Sequence, residues 1–135
     1  MNITLDEAQQ AIAASIAKAT EEGVTVGVAI VDPHGDIVAV VRMDNPRYQF
    51  LPQGSLGKAM ATALWGGTPS SALEERAAAP IFGTVNNMYG GRLVYSPGAV
   101  PIKRGDEIIG AIGVGGAPSG KLDEDIAAAG AAVIS

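Results

Sequence analysis

The sequence predicts an α+β domain, an antiparallel sheet flanked by helices. Three observations carry that expectation. Two pairs of β-branched runs are each joined by a short polar turn containing glycine, which is how hairpins are written and not how single crossover strands are. Helical periodicity opens and closes the chain. With 135 residues, the chain is expected to form one domain, residues 1–135, long enough to bury a core without staples.

Thr4 followed by Glu7 is a capping box. Leu5, Ala8, Ile12, Ala13, Ile16 and Ala19 then recur at helical spacing as far as Gly23, which predicts a helix over about Leu5–Glu22. Val24–Val31 lacks a polar face and reads as a strand covered on both sides. The turn Asp32-Pro33-His34-Gly35-Asp36 leads into Ile37–Met43, completing the first hairpin. Pro46 and Pro52 bracket an irregular loop. Ser55–Leu64, rich in alanine, reads as a helix ended by Gly66-Gly67, and Thr68-Pro69-Ser70-Ser71 opens another that runs to about Ala78 and is stopped by Pro80. Ile81–Gly98 has no clean period and reads as a long loop with a short strand at Arg92–Tyr95. A loop of that length inside a domain is usually functional or reaches a neighbour. Val100–Lys103 and Glu107–Val114 make the second hairpin, Gly115–Gly120 a glycine-rich connection, and Leu122–Ile134 a closing helix whose acidic first turn suits its dipole.

Composition narrows the function classes. The chain is 47% hydrophobic and 17% charged, with net charge −5 and no cysteine, so it should fold, without disulfides or cysteine metal sites. An acidic balance without clustered Lys or Arg removes the usual electrostatic route to nucleic acid or an anionic membrane. Charges interrupt every long apolar window, and the N-terminus has no basic n-region, so a soluble cytoplasmic protein is expected. There are 18 glycines, twice the usual share of about 7%. At 4% aromatics, the core must come from Ala, Val, Ile and Leu, and a homo-oligomer is expected to add stability.

Few residues carry chemistry. His34 is the only histidine; it is either an exposed turn residue or a general base or axial ligand. No set of His, Asp and Glu has metal-site spacing, so no metal centre is expected. Arg42-Met43-Asp44 leaves a strand end just before the proline-bracketed loop. There a cation and a carboxylate either orient a polar ligand or form a surface ion pair worth about 0–1 kcal/mol. Lys58, among small residues with Gly57 before it and Thr62 one turn later, either points at a pocket or snorkels to water. Gly113-Val114-Gly115-Gly116-Ala117 lacks both the GxGxxG spacing and a βαβ context, which rejects a dinucleotide site. Those glycines either let a ligand approach the last helix's N-terminus or simply make the turn.

Several blocks in order are recognisable: Val28-Ala29-Ile30-Val31-Asp32 with Gly35, Arg42-Met43-Asp44, Gly57-Lys58-Ala59 with Thr62-Ala63, Pro97–Ile102, and Gly110–Gly116. Over nearly the whole chain they resemble the GlcG/HbpS family. The resemblance implies a profilin-like sandwich, usually assembled into symmetric oligomers, and a small-ligand pocket. Haem or another tetrapyrrole is the ligand it favours. With Cys absent, an axial ligand would be His34, a Met or a Tyr. The family also includes a lyase acting on hydroxylamino-aromatic acids. That chemistry needs a cation for the carboxylate, an acid for the leaving nitrogen and an apolar slot. Arg42, Lys58, Asp44, Tyr89, Tyr95, Met43 and Trp65 are the candidates for it, with the loop Asn86–Arg92 either closing over the pocket or reaching one in a neighbouring subunit. A non-catalytic accessory subunit is the third alternative. The expected pocket lies between the Met43–Gly57 loop, the Lys58 helix and the Gly98–Pro101 segment, with His34, Arg42, Met43, Asp44, Lys58, Thr62, Gly98 and Pro101 as its ligand-binding set.

Overall fold

Four strands, β1 (Gly27–Val31), β2 (Ile37–Arg42), β3 (Ala99–Arg104) and β4 (Glu107–Gly115), form one antiparallel sheet in the order β2-β1-β4-β3. This is the arrangement in the computed structural model, which describes residues 1–135. Helices α1 (Leu5–Glu21) and α5 (Gly120–Ala131) cover one face. Helix α2 (Leu51–Leu64) covers the other, with α3 (Ser70–Arg76) and α4 (Pro80–Met88) beside it. The class is the α+β sandwich that the two hairpins predict.

The two faces differ because β1 and β4 alternate large and small residues. Val28, Ile30, Ile112 and Val114 point into the core beneath α1 and α5. Gly27, Ala29, Ala111 and Gly113 lie under α2, which therefore sits with its backbone almost on the sheet. A Cβ at Gly113 would lie 2.2 Å from the Ser55 carbonyl oxygen and 2.8 Å from the Ala59 nitrogen; one at Gly27 would lie 2.8 Å from the Leu51 carbonyl oxygen. Glycine here serves close approach, since no side chain fits between strand and helix.

The structure corrects the expected element map in four places. Helix α2 begins at Leu51, not Ser55, with Pro52 in its first turn, where the missing N–H is harmless. Pro80 likewise opens α4 instead of only ending the helix before it, and α3 stops at Arg76. The segment read as a long loop is half helical: α4 occupies Pro80–Met88. Its anchor is tertiary, for Phe82 is buried and stacks on Trp65 with ring centroids 4.2 Å apart, while Tyr95 meets it edge-on at 5.3 Å. Arg92–Tyr95 is not a strand. It runs along α2 instead, with Val94 N–H donating to the Gly57 carbonyl at 3.1 Å and Leu93 N–H donating to Asn86 Oδ1 at 2.8 Å.

Other local expectations have direct physical counterparts. The Thr4/Glu7 capping box is formed. The first hairpin turn is an Asx turn, with Asp32 Oδ1 accepting from the His34 and Asp36 amides at 2.8 and 3.1 Å. No helix is long and apolar enough to cross a membrane.

Glu7 also ties α1 to the end of β3. Its two carboxylate oxygens lie 3.0 and 2.9 Å from the Arg104 guanidinium nitrogens, and Oε1 also accepts from Thr4 N–H at 3.1 Å. The Arg104 hydrogen bond first, and the Thr4 amide second, lower the Glu7 pKa from 4.5 to about 2. A carboxylate held down in the folded state contributes stability that is present above 4.5 and lost as pH falls towards 2. Melting temperature is therefore expected to drop across that window, and Glu7→Gln to flatten the drop. Wild type and Glu7→Gln with parallel acid profiles would show that this clamp is not a source of the acid lability.

Candidate functional site

Three adjoining depressions make a trough along the outer side of α2. At one end a groove of about 210 Å³ is lined by His34, Asp36, Ile37, Met60, Leu64, Tyr89 and Arg92. It shares Met60 and Arg92 with a middle groove of about 280 Å³, walled by Leu56, Gly57 and Val94. That in turn shares Gly54 and Val94 with a cleft of about 330 Å³ at the far end, where Tyr48, Phe50, Leu51, Lys58, Ser96 and Asp123 meet.

The cleft is the chemically unusual end. Lys58 is 8% exposed and Asp123 5%, so the lysine does not snorkel. Its Nζ donates to the Val114 carbonyl at 3.0 Å and to Asp123 Oδ2 at 3.2 Å. Asp123 Oδ1 accepts from Ala117 N–H at 2.9 Å. Gly98 makes room for the lysine, since a Cβ there would come within 2.8 Å of Nζ and 2.4 Å of the Val114 oxygen. Burial pushes the Asp123 pKa up from 3.8, and the Lys58 charge and the Ala117 amide only partly offset it. A buried ion pair with a perturbed carboxyl at a cleft wall is the arrangement that marks functional sites more often than chance.

The residues singled out in the sequence are thus divided. Lys58 lines the cleft and Gly98 packs against it; His34 and Tyr89 line the opposite groove, where His34 is exposed. Arg42 and Asp44 are exposed, join no ion pair and line none of the depressions. Met43 packs on the α1/α5 side of the sheet, its Sδ 3.4 Å from Val26 N. Thr62 is sealed in the interior with its hydroxyl unpartnered, and Pro101 sits on the edge strand β3 near Gly67. Trp65 and Tyr95 do not form a slot. Trp65 Nε1 donates to the Tyr95 hydroxyl at 3.2 Å, and that hydroxyl donates to the Phe82 carbonyl at 3.1 Å, so the cluster pins α4 in place. Asn86–Arg92 does not close over the cleft, because it is the end of α4 and a turn secured by Arg92 Nε donating to the Tyr89 carbonyl at 2.9 Å. No three acidic or histidine side chains converge as a metal site would require.

Among the candidate residues the sequence offered neither Asp123, Phe50 nor Tyr48, and Arg92 stood only at the end of the Asn86–Arg92 loop. Asp123 read only as a helix-dipole residue, and nothing local ties it to a lysine 65 positions earlier.

A family model described as haem-degrading protein HbpS-like matches residues 3–132. The chain belongs to the HbpS-like family. The crystal structure of HbpS is similar at 34% identity and TM-score 0.88, with 100% of this chain and 92% of that one covered. A double mutant of HbpS from Streptomyces reticuli gives 32%, 0.87, 100% and 88%, in the same order. A haem complex of PduOC, at 24% identity, TM-score 0.86 and 100% and 96% coverage, shares the fold. A comparison with curated proteins finds no match.

Proposed function

We propose that this HbpS-like protein binds haem, or a closely related tetrapyrrole, at the His34 end of the trough. The observation that carries the reading is the coincidence there of three things a haem requires. His34 supplies an exposed imidazole, the usual axial donor. Ile37, Met60 and Leu64 supply an apolar wall for the macrocycle. Arg92 supplies a guanidinium that no carboxylate of this chain pairs with, suited to a propionate. The residues present therefore fit the group, and the family description, haem degrading, supports the choice of ligand.

Bound haem would bring iron chemistry that this chain's own side chains lack. The protein's part is to bind and orient. Asp36 lines the same groove as His34. The groove continues past Met60 and Arg92 into the middle groove, so residues of both would hold the group.

A hemin titration followed at the Soret band tests this. We expect saturation at one haem per subunit, a shifted band lost in His34→Ala, and binding roughly tenfold weaker in Arg92→Ala, the worth of a charge-assisted contact. A diffuse, non-saturating change, or an unaltered spectrum in His34→Ala, would overturn the assignment.

A further inference from the structure

We infer that the free edge of β2 pairs antiparallel with β2 of a second copy of this chain, joining two four-stranded sheets into one across a two-fold axis near Ala39. The interface lies on the sheet edge and does not depend on what the trough binds.

The two edges of the sheet are unlike. On β3, the Gly98 carbonyl accepts from Val114 N–H at 2.8 Å, so alternation turns Ala99 and Pro101 to the open side. Both are closed to pairing. The Ala99 amide already donates to Ser70 Oγ at 2.9 Å, and Pro101 has no N–H to offer. Lys103 and a bulge between Ile102 and Lys103 complete the blunting of that strand. On β2, Met43 N–H donates to the Val26 carbonyl at 2.9 Å, and the same alternation turns the N–H and C=O of Val40 and Arg42 outward. No group of this chain bonds to them. The irregularity in the pairing with β1, between Ile30 and Val31, falls at the start of β2 and leaves Ala39–Arg42 in regular register. Ile37–Val41 is apolar throughout, without the proline or charge by which natural edges avoid pairing.

A second copy is the partner because the edge is complementary to itself. Asp36 and Arg42 bracket the strand, both exposed and neither in an ion pair. Antiparallel pairing centred on Ala39, midway between them, brings each Arg42 to the end of the other strand where Asp36 stands. Alanine at the axis lets the strands close, and Ile37, 59% exposed, gains cover. A foreign strand would have to supply the same pattern of charge and apolar side chains.

Light scattering over a concentration series, together with disulfide trapping, tests this on the whole chain. Wild type is expected to be an even-numbered oligomer. The chain has no cysteine, so Ala39→Cys carries a single thiol. Ala39 turns its own backbone groups to β1, so across the axis it forms a non-hydrogen-bonded pair, with Cα atoms about 4.5 Å apart, within the span of about 4.4–6.8 Å that a disulfide bridges. Mild oxidation should therefore convert Ala39→Cys to a covalent dimer, far faster than Lys103→Cys on the β3 edge. Arg42→Glu, which sets like charges against each other, should weaken association roughly tenfold, and the charge swap Asp36→Lys/Arg42→Glu should restore it. Val40→Pro should at least halve the mass, since the N–H it removes is one the fold does not use. Where Val40→Pro does not fold, the trapping and the charge swap decide. A wild-type monomer at every concentration, as an edge reserved for a foreign strand would give, would overturn the proposal. So would an Ala39→Cys variant no faster to cross-link than Lys103→Cys, or a charge swap that restores nothing.

Discussion

Gly113→Ala is expected to cost at least the upper end of the about 1–3 kcal/mol typical of core overpacking, and Gly113→Val to prevent folding. The new Cβ would meet backbone, the Ser55 oxygen at 2.2 Å and the Ala59 nitrogen at 2.8 Å. No rotamer change relieves such a clash. Helix α2 would have to lift from the sheet along its length, losing the Ala59, Ala63 and Ala111 packing beneath it. Gly83→Ala is the control. It lies in α4, has no heavy atom within 4 Å of its added Cβ, and should gain about 0.5–1 kcal/mol from helix propensity. Urea denaturation of the three proteins checks both signs. A Gly113→Ala midpoint equal to wild type would mean that α2 is not packed backbone-to-sheet.

That close approach also explains which parts of the molecule were legible in the sequence. Where structure is decided within a few residues, as in the Thr4/Glu7 box, the Asp32–Asp36 turn or the β-branched runs, local pattern was enough. The glycines read as placed, but their purpose did not: Gly27 and Gly113 mark no turn, and only the docking of α2 shows what they accommodate. Helix α4 was missed for the converse reason. Its sequence PIFGTVNNM holds a glycine and two asparagines, weak helix formers. It is held by Phe82 on Trp65 and by Tyr95, contacts that no local window contains. The site divides along the same line. Lys58 stood out as a lysine among alanines, yet its partner lies on α5 beyond the sheet, and its separation from His34 depends on where α2 runs.

Lys58→Met is expected to destabilise the fold by about 3–5 kcal/mol, the cost of leaving one member of a buried ion pair uncompensated. The residue left behind is Asp123, 5% exposed, with only the Ala117 amide to stabilise its charge. Its pKa, already raised by burial, would rise further, because the Lys58 charge is the largest influence lowering it. The sign of the pH dependence follows. A carboxyl whose folded pKa lies above its unfolded value binds more protons folded, so its contribution falls as pH rises from 3.8 through the raised value. Lys58→Met should therefore lose more stability at pH 7 than at pH 4. This slope is opposite to that of Glu7, and adding Asp123→Asn should abolish it. In the double variant Lys58→Met/Asp123→Leu both charges are gone, and the residual cost is the orphaned Ala117 N–H and Val114 carbonyl, the latter orphaned in Lys58→Met as well, about 1–3 kcal/mol each. The pair thus predicts a double variant more stable than Lys58→Met alone, a non-additivity that a double-mutant cycle in urea measures directly. Additive losses, or a Lys58→Met variant as stable as wild type at neutral pH, would show that the two side chains do not act as one buried pair.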